Sequence, residues 1–191
     1  MPRQIPDEQI FAAALDIVAA RGIAGATTKQ IAAAAEINEV TLFRRFGSKA
    51  KLLEAALSAE VDRFDAAGGA RYTGDLRDDL TRVVALYTQL VMRRGRLLAV
   101  LLAELPSADE LGGLIERPQR IVRAVARLIR RYQREGALEP EPPLQSVAAL
   151  LGPVLLAGVL RPLATRPEPP DPSAHVERFL HGRRATRPTK G

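Results

Sequence analysis

Apolar residues recur along this chain at intervals of three and four, the spacing that places them on one side of a helix. Ile10, Phe11, Ala14, Leu15 and Val18 make the first such face and predict a helix from Asp7 to Arg21, stopped by Gly22. Thr27-Thr28-Lys29-Gln30 has the form of a capping box, in which the threonine hydroxyl and the side chain three residues on satisfy each other's backbone amides. It opens a second helix through Ala35. Glu36-Ile37-Asn38 interrupts it, and a third helix runs from Glu39 to Phe46 with Asn38 as its cap. Gly47-Ser48 ends that helix and caps a fourth, Lys49 to Ala67, whose apolar face is Leu52, Leu53, Leu57, Val61 and Phe64.

Beyond Gly68-Gly69 the register changes. A fifth helix is predicted from Leu76 to Arg93, with Leu80, Val83, Val84, Tyr87, Leu90 and Val91 on its apolar face, and a short sixth from Leu97 to Leu105 before Pro106. Ser107-Ala108-Asp109-Glu110 is a further capping box, and Pro118 marks a boundary after it. An amphipathic seventh helix spans Gln119 to Glu135 and stops at Gly136. The eighth, Leu144 to Leu163, is apolar on nearly every side and so must be covered by protein all round. Within it Pro153 removes one backbone bond and should kink the helix, while Ala148, Ala149, Gly152, Ala157 and Gly158 would let another helix approach closely. Asp171-Pro172 pairs an N-cap with proline at the first helical position and starts a ninth helix to His181. There is no hairpin signal and no internal repeat. The fold expected is all-α with about nine helices. Its domains are a three-helix DNA-binding unit over 1–48 and a helical ligand-binding and dimerisation unit over 49–184, linked by the helix 49–67; a basic disordered tail, 185–191, completes the chain.

Composition sharpens this. Of 191 residues 47% are apolar but only 4% aromatic, a Leu/Ala/Val/Ile mixture suited to helices packed on helices. A net charge of +6 favours a polyanionic partner. Without cysteine there is no disulfide framework and no thiolate metal site. His175 and His181 share no helical face, so neither metal nor cofactor is expected. No nucleophile–base arrangement or phosphate-binding glycine loop can be assembled, which argues against an enzyme. Met1-Pro2-Arg3-Gln4 lacks a secretory signal's apolar stretch, and the apolar run Val147 to Leu160 is broken by Gly152-Pro153, short of the roughly 20 residues of a membrane span. A soluble, cytoplasmic protein is expected.

Two short helices joined by a tight turn suit a helix-turn-helix, whose second helix enters the major groove while the first crosses the backbone. Thr28, Lys29 and Gln30 then begin the crossing helix. Asn38 caps the recognition helix, Glu39, Val40, Thr41 and Arg44 present toward DNA, and Leu42 points back to Ile31, Ile37 and Val18. Arg44, Arg45, Lys49 and Lys51 place four positive charges in eight residues without a negative one, the density that phosphate contact requires.

With these residues the chain resembles the TetR family of bacterial transcriptional regulators. The resemblance lies in Thr27-Thr28-Lys29-Gln30-Ile31-Ala32, Val40 to Lys49, and Leu52-Leu53, after an Ala-rich helix ending in Ala20-Arg21-Gly22. It implies that Phe43 packs against the DNA backbone and that Lys49 contacts phosphate. It also implies a homodimer through the last two helices, about 144–163 and 172–181, on double-stranded operator DNA. Three positions depart from the family pattern: Glu36 replaces the turn glycine, Glu39 adds an acid at the groove, and Val40 stands where a small residue is common.

Two readings of Glu39 stay open: a carboxylate accepting from a cytosine amino group, or an acid suited to the positive end of the helix dipole. Arg120, Arg123, Arg127, Arg130 and Arg134 form a second basic stripe, the wet face of an amphipathic helix unless it grips an anion. The function expected is a repressor released from a pseudo-palindromic operator by a small, lipophilic effector. Tyr87, Gln89 and Tyr132 are the candidate polar groups of its pocket, and the fourth helix is the element touching both regions. Alternatives are a nucleoid-type protein binding DNA without sequence preference, and a carrier or enzyme built on the C-terminal bundle.

Overall fold

The computed structural model describes residues 5–104, 112–161 and 169–183. Its eight helices among these residues are α1 (Asp7–Gly25), α2 (Thr28–Ala34), α3 (Glu39–Phe46), α4 (Lys49–Ala66), α5 (Leu76–Glu104), α6 (Gly112–Arg134), α7 (Pro143–Leu160) and α8 (Pro172–His181). The chain is all-helical, as the periodicity requires. Gly22 is non-helical within α1, at φ 77 and ψ 169, so the regular helix stops at Arg21 and residues 23–25 make one further turn.

Two expectations about the middle of the chain are corrected. The predicted fifth and sixth helices are one, because α5 runs unbroken through Arg93-Arg94-Gly95-Arg96. A glycine inside a helix costs about 1 kcal/mol against alanine. Here Gly95 is buried between the buried Val91 and Leu97, and Arg94 is held by Glu60 and Asp16, so tertiary packing outweighs local propensity. Nor does Pro118 start a helix: α6 begins at Gly112 and continues through it, with Leu114 buried on the preceding turn. The capping box at 107–110 and the tail at 185–191 lie outside the described residues.

The chain divides into two compact units, one of residues 1–63 and 94–119, the other of 64–93 and 120–191. In the first, Ile10, Ala14, Leu15 and Val18 of α1 join Ile31, Leu42, Leu52, Leu53, Leu97, Leu101 and Leu114 in a single cluster. The apolar stripes read from the sequence are thus the faces that meet. In the second, Leu80, Val83 and Val84 of α5, Val125, Ile129 and Tyr132 of α6, Leu150 and Val154 of α7, and Val176 and Phe179 of α8 are buried. Gly158 allows α7 close to α5, since a Cβ there would lie 1.9 Å from Val91 Cγ1. His175, also buried, joins α8 to α7 through its Nε2, 2.7 Å from the Leu150 carbonyl.

The eighth predicted helix, observed as α7, is not covered all round. Ser146, Val147, Leu150, Leu151, Val154 and Gly158 are buried, but Leu144, Leu156 and Leu160 are 63%, 56% and 45% exposed. Ala148, Pro153 and Ala157 are exposed or half-buried beside them. By length and composition α7 is also apolar enough to cross a membrane, contrary to the expectation from its broken apolar run. Its packed side and the His175 contact make it a core helix of the second unit.

Candidate nucleic-acid interface

Local chemistry builds the two-helix element residue by residue. Both bonds of the capping box form: Gln30 N–H donates to Thr27 Oγ1 at 3.2 Å, and Thr27 N–H to Gln30 Oε1 at 3.1 Å. Helix α2 ends in the paired bonds of a Schellman motif, Ile37 N–H to the Ala32 carbonyl at 3.0 Å and Glu36 N–H to that of Ala33 at 3.2 Å. Such an ending needs a left-handed residue between them, and Glu36 adopts φ 56, the one non-glycine positive φ among the described residues. The turn therefore keeps the geometry that the family's glycine serves. Asn38 Oδ1 accepts from Val40 N–H at 2.8 Å to cap α3, and Gly47, at φ 77, closes it with a bond to Phe43 O. Ser48 Oγ caps α4 by accepting from Lys51 N–H at 3.2 Å.

Leu42 is fully buried and fixes the rotation of α3 on the cluster with Ile31 and Val18. The opposite face is open. Val40 is 73% exposed and Phe43 45%. Lys29, Arg44 and Lys51 are exposed, and their side chains make no hydrogen bond or ion pair among the described residues. Thr28, Gln30, Glu39 and Thr41 are half-buried.

Besides the caps Gln30 and Asn38, four expected DNA-contacting residues have partners within the chain. Lys49 Nζ donates to the carbonyls of Ile23 and Ala26, each at 2.9 Å, and so ties α4 to the link between α1 and α2. Arg45 bonds the Ile5 carbonyl at 2.8 Å and forms an ion pair with Asp7. Thr28 Oγ1 donates to Glu39 Oε1 at 2.6 Å, bridging the first turns of α2 and α3. The carboxylate that was a candidate base reader is thus held by a hydroxyl of the crossing helix.

Sequence reasoning missed the clamps behind this surface. Glu104, at the end of α5, accepts from Ile23 N–H at 2.8 Å. Gly22 makes room for it, since a Cβ there would sit 2.4 Å from Glu104 Oε1. Arg94 reaches Glu60 on α4 at 2.9 Å and Asp16 on α1 at 2.7 Å. Burial works against the Glu60 charge, but Arg94 and Arg63 hold its carboxyl below the usual range. No local sequence signal announces such pairings.

In the second unit the candidate effector-facing residues separate. Tyr132 is buried and donates its hydroxyl to Asp79 Oδ2 at 2.5 Å. Asp79, itself fully buried, also accepts from Thr73 N–H and Oγ1, each at 2.8 Å, and from Arg82. Burial would raise its pKa, yet these donors outweigh it and hold the carboxyl below its ordinary value. Burial, with the bond to Asp79, raises the Tyr132 hydroxyl. Gln89 is exposed. Tyr87 is half-buried, and burial pushes its hydroxyl up to about 12.

A capped crossing helix, a left-handed turn and a second helix with an open, cation-flanked face define a helix-turn-helix protein, here followed by a helical C-terminal region. Residues 10–56 match the family model of the bacterial regulatory proteins of the tetR family. The match covers most of α1, α2, α3 and the first two turns of α4, the region that carries the two-helix element. Solved structures share the fold along most of the chain. A TetR family transcription regulator from Marinobacter aquaeolei VT8 is 19% identical with a TM-score of 0.75, covering 94% of this chain and 96% of that one. AibR, in complex with isovaleryl coenzyme A and operator DNA, is 17% identical at a TM-score of 0.65, covering 92% and 96%. A protein from Saccharomonospora viridis in complex with choline is 20% identical at 0.71, covering 95% and 98%. Nothing among curated proteins matches the chain.

Proposed function

We propose that this protein is a repressor that binds a pseudo-palindromic operator as a homodimer and leaves it when a small molecule occupies its C-terminal region. The observation carrying the DNA reading is the open face of α3, where Val40, Phe43 and Arg44 are exposed while Leu42 is buried. In each subunit α3 lies in the major groove, with Arg44, Lys29 and Lys51 at the phosphates and Phe43 against the sugar–phosphate backbone. Arg45, Lys49, Thr28 and Glu39 act chiefly by holding the reading element in place. Gln30 and Asn38 serve as caps, and Thr41 stands beside the bases. A protein working on operator DNA acts in the cytoplasm and needs no catalytic residue.

The dimer is inferred from the uncovered leucines of α7. Leu156 and Leu160, one turn apart on the open side of α7, are costly in water, and a second copy of the same surface removes them together. The exposed side of α8 is polar, with Ser173, Arg178 and His181, so α7 carries most of the contact and α8 flanks it. Two recognition helices then stand about one turn of DNA apart, ~34 Å or somewhat more.

Tyr87 best fits an effector-facing polar group, since its hydroxyl has no hydrogen bond among the described residues. Tyr132 is committed to Asp79. AibR is described with isovaleryl coenzyme A and the Saccharomonospora viridis protein with choline, so the shared fold sets no ligand chemistry. Val83, Val84, Leu90 and Val91, one turn either side of Tyr87 on α5, are apolar and buried, which favours a lipophilic molecule. Selection of duplexes from a random-sequence library by the full chain, with footprinting of the product, tests the operator reading. An enriched inverted repeat protected by a dimer is expected. Binding without enrichment of any sequence would refute it in favour of a nucleoid-type role. For the effector, calorimetry with and without operator must show the two ligands weakening each other by one common factor.

A further inference from the structure

Val40 is the second residue of α3 and 73% exposed, although the cluster beneath has taken up Leu42 completely. Its polar neighbours at the helix start are both engaged. Asn38 spends its side-chain oxygen on the Val40 amide at 2.8 Å, and Glu39 accepts from Thr28 at 2.6 Å. What Val40, the most exposed large apolar residue among the described residues, adds to this end of the helix is a pair of methyl groups. Valine in a helix is confined to one dominant rotamer, so those methyls are positioned by the backbone before any contact is made. A side chain without donor or acceptor can recognise one feature of the major groove, the 5-methyl group of thymine.

We propose that Val40 reads the 5-methyl group of a thymine in each operator half-site. This rests on α3 being the recognition helix, and it names part of the sequence that helix recognises. The charge around it fits that occupant: Arg44 and Lys29 are exposed and without partners among the described residues, so an anionic duplex is drawn to the same face. Glu39, fixed by Thr28, then acts as a positioning residue that sets the first turn of α3.

The test uses the full chain and the duplex it selects from a random library. Each thymine in turn, symmetrically in both half-sites, is replaced by deoxyuridine, which deletes the methyl and leaves base pairing intact. One position should weaken wild-type binding about 4-fold per half-site, equivalent to about 0.8 kcal/mol for one methyl-sized group. V40A should bind the thymine and deoxyuridine duplexes equally at that position and keep its other preferences, while V40I should retain the methyl dependence. Val40 is exposed, so both variants should show the wild-type circular dichroism and melting curve. Indifference of the wild type to every replacement overturns the proposal, as does a V40A that keeps the full methyl dependence. If no sequence is enriched at all, the operator reading itself falls and this inference with it.

Discussion

Replacing Glu36 by glycine should stabilise the protein. At φ 56 this residue is left-handed, a region that costs an L-residue about 1–2 kcal/mol through the approach of Cβ to the carbonyl oxygen. Glycine avoids that cost but has more freedom to lose on folding, about 0.5–1 kcal/mol. The balance is a gain of about 0.5–1 kcal/mol. Nothing offsets it, because the Glu36 side chain is exposed and makes no hydrogen bond or ion pair among the described residues. In a chain of this size that gain raises the melting temperature by about 1–4 °C. Glu36→Ala is the decisive control, since alanine keeps the Cβ and should stay within about 0.5 kcal/mol of wild type. Urea denaturation of all three, monitored by circular dichroism, gives the midpoints at constant m-value. A glycine variant no more stable than the alanine variant would show that the turn is not strained at this position, and the account of the Schellman ending would be wrong.

Leu156→Glu should turn the dimer into a folded monomer in sedimentation at micromolar concentration; a variant still dimeric there places the interface elsewhere than α7. Asp79→Asn should cost about 3 kcal/mol, as does removing one partner from a buried charged network. Because the folded pKa of Asp79 lies below its ordinary 3.8, its stabilisation is present above that value and lost as pH falls through the folded pKa. Acid denaturation curves for wild type and Asp79→Asn should therefore approach one another below pH 3.8 and converge only once the pH has fallen through the lowered folded pKa, and parallel curves would exclude the network as their source. Gly158→Ala should destabilise by about 1–3 kcal/mol, because β-branched Val91 cannot swing aside; a neutral melt would show that α5 and α7 can separate freely. Arg44→Ala should flatten the salt dependence of operator binding by about one unit per half-site. Lys49→Ala should instead lower stability, through loss of the Ile23 and Ala26 carbonyl bonds, which a melting curve separates from the salt slope.

Much of the fold was legible because its signals are local. Thr27, Asn38, Ser48 and Asp171 all cap the helices their identities announced, since a capping bond spans only two or three residues. The stripes of α1, α4 and α6 are the buried faces for the same reason: periodicity of 3.6 is a property of one element. The reading failed where local propensity and packing disagree. Arg93-Arg94-Gly95-Arg96 looks like a break, but Gly95 is buried and Arg94 is bound on two sides, so α5 passes through. Pro118 looks like a boundary, but α6 has already begun at Gly112.

The interface shows the same division at the level of single side chains. Motif and register indicated which residues face outward on α3, and Val40, Phe43 and Arg44 do. Charge density alone could not tell which cations remain for DNA. Of the four in Arg44–Lys51, Arg45 is bound to Ile5 and Asp7, and Lys49 to Ile23 and Ala26. These partners lie between 23 and 40 residues away along the chain, beyond any window in which periodicity or capping operates. The Lys49 ammonium lies beside carbonyls at the C-terminal end of α1, which lack a donor from a continuing helix. Part of the basic run thus assembles the two-helix element, and Arg44 and Lys51, with Lys29 from α2, remain exposed as the cations the proposed operator contact would use.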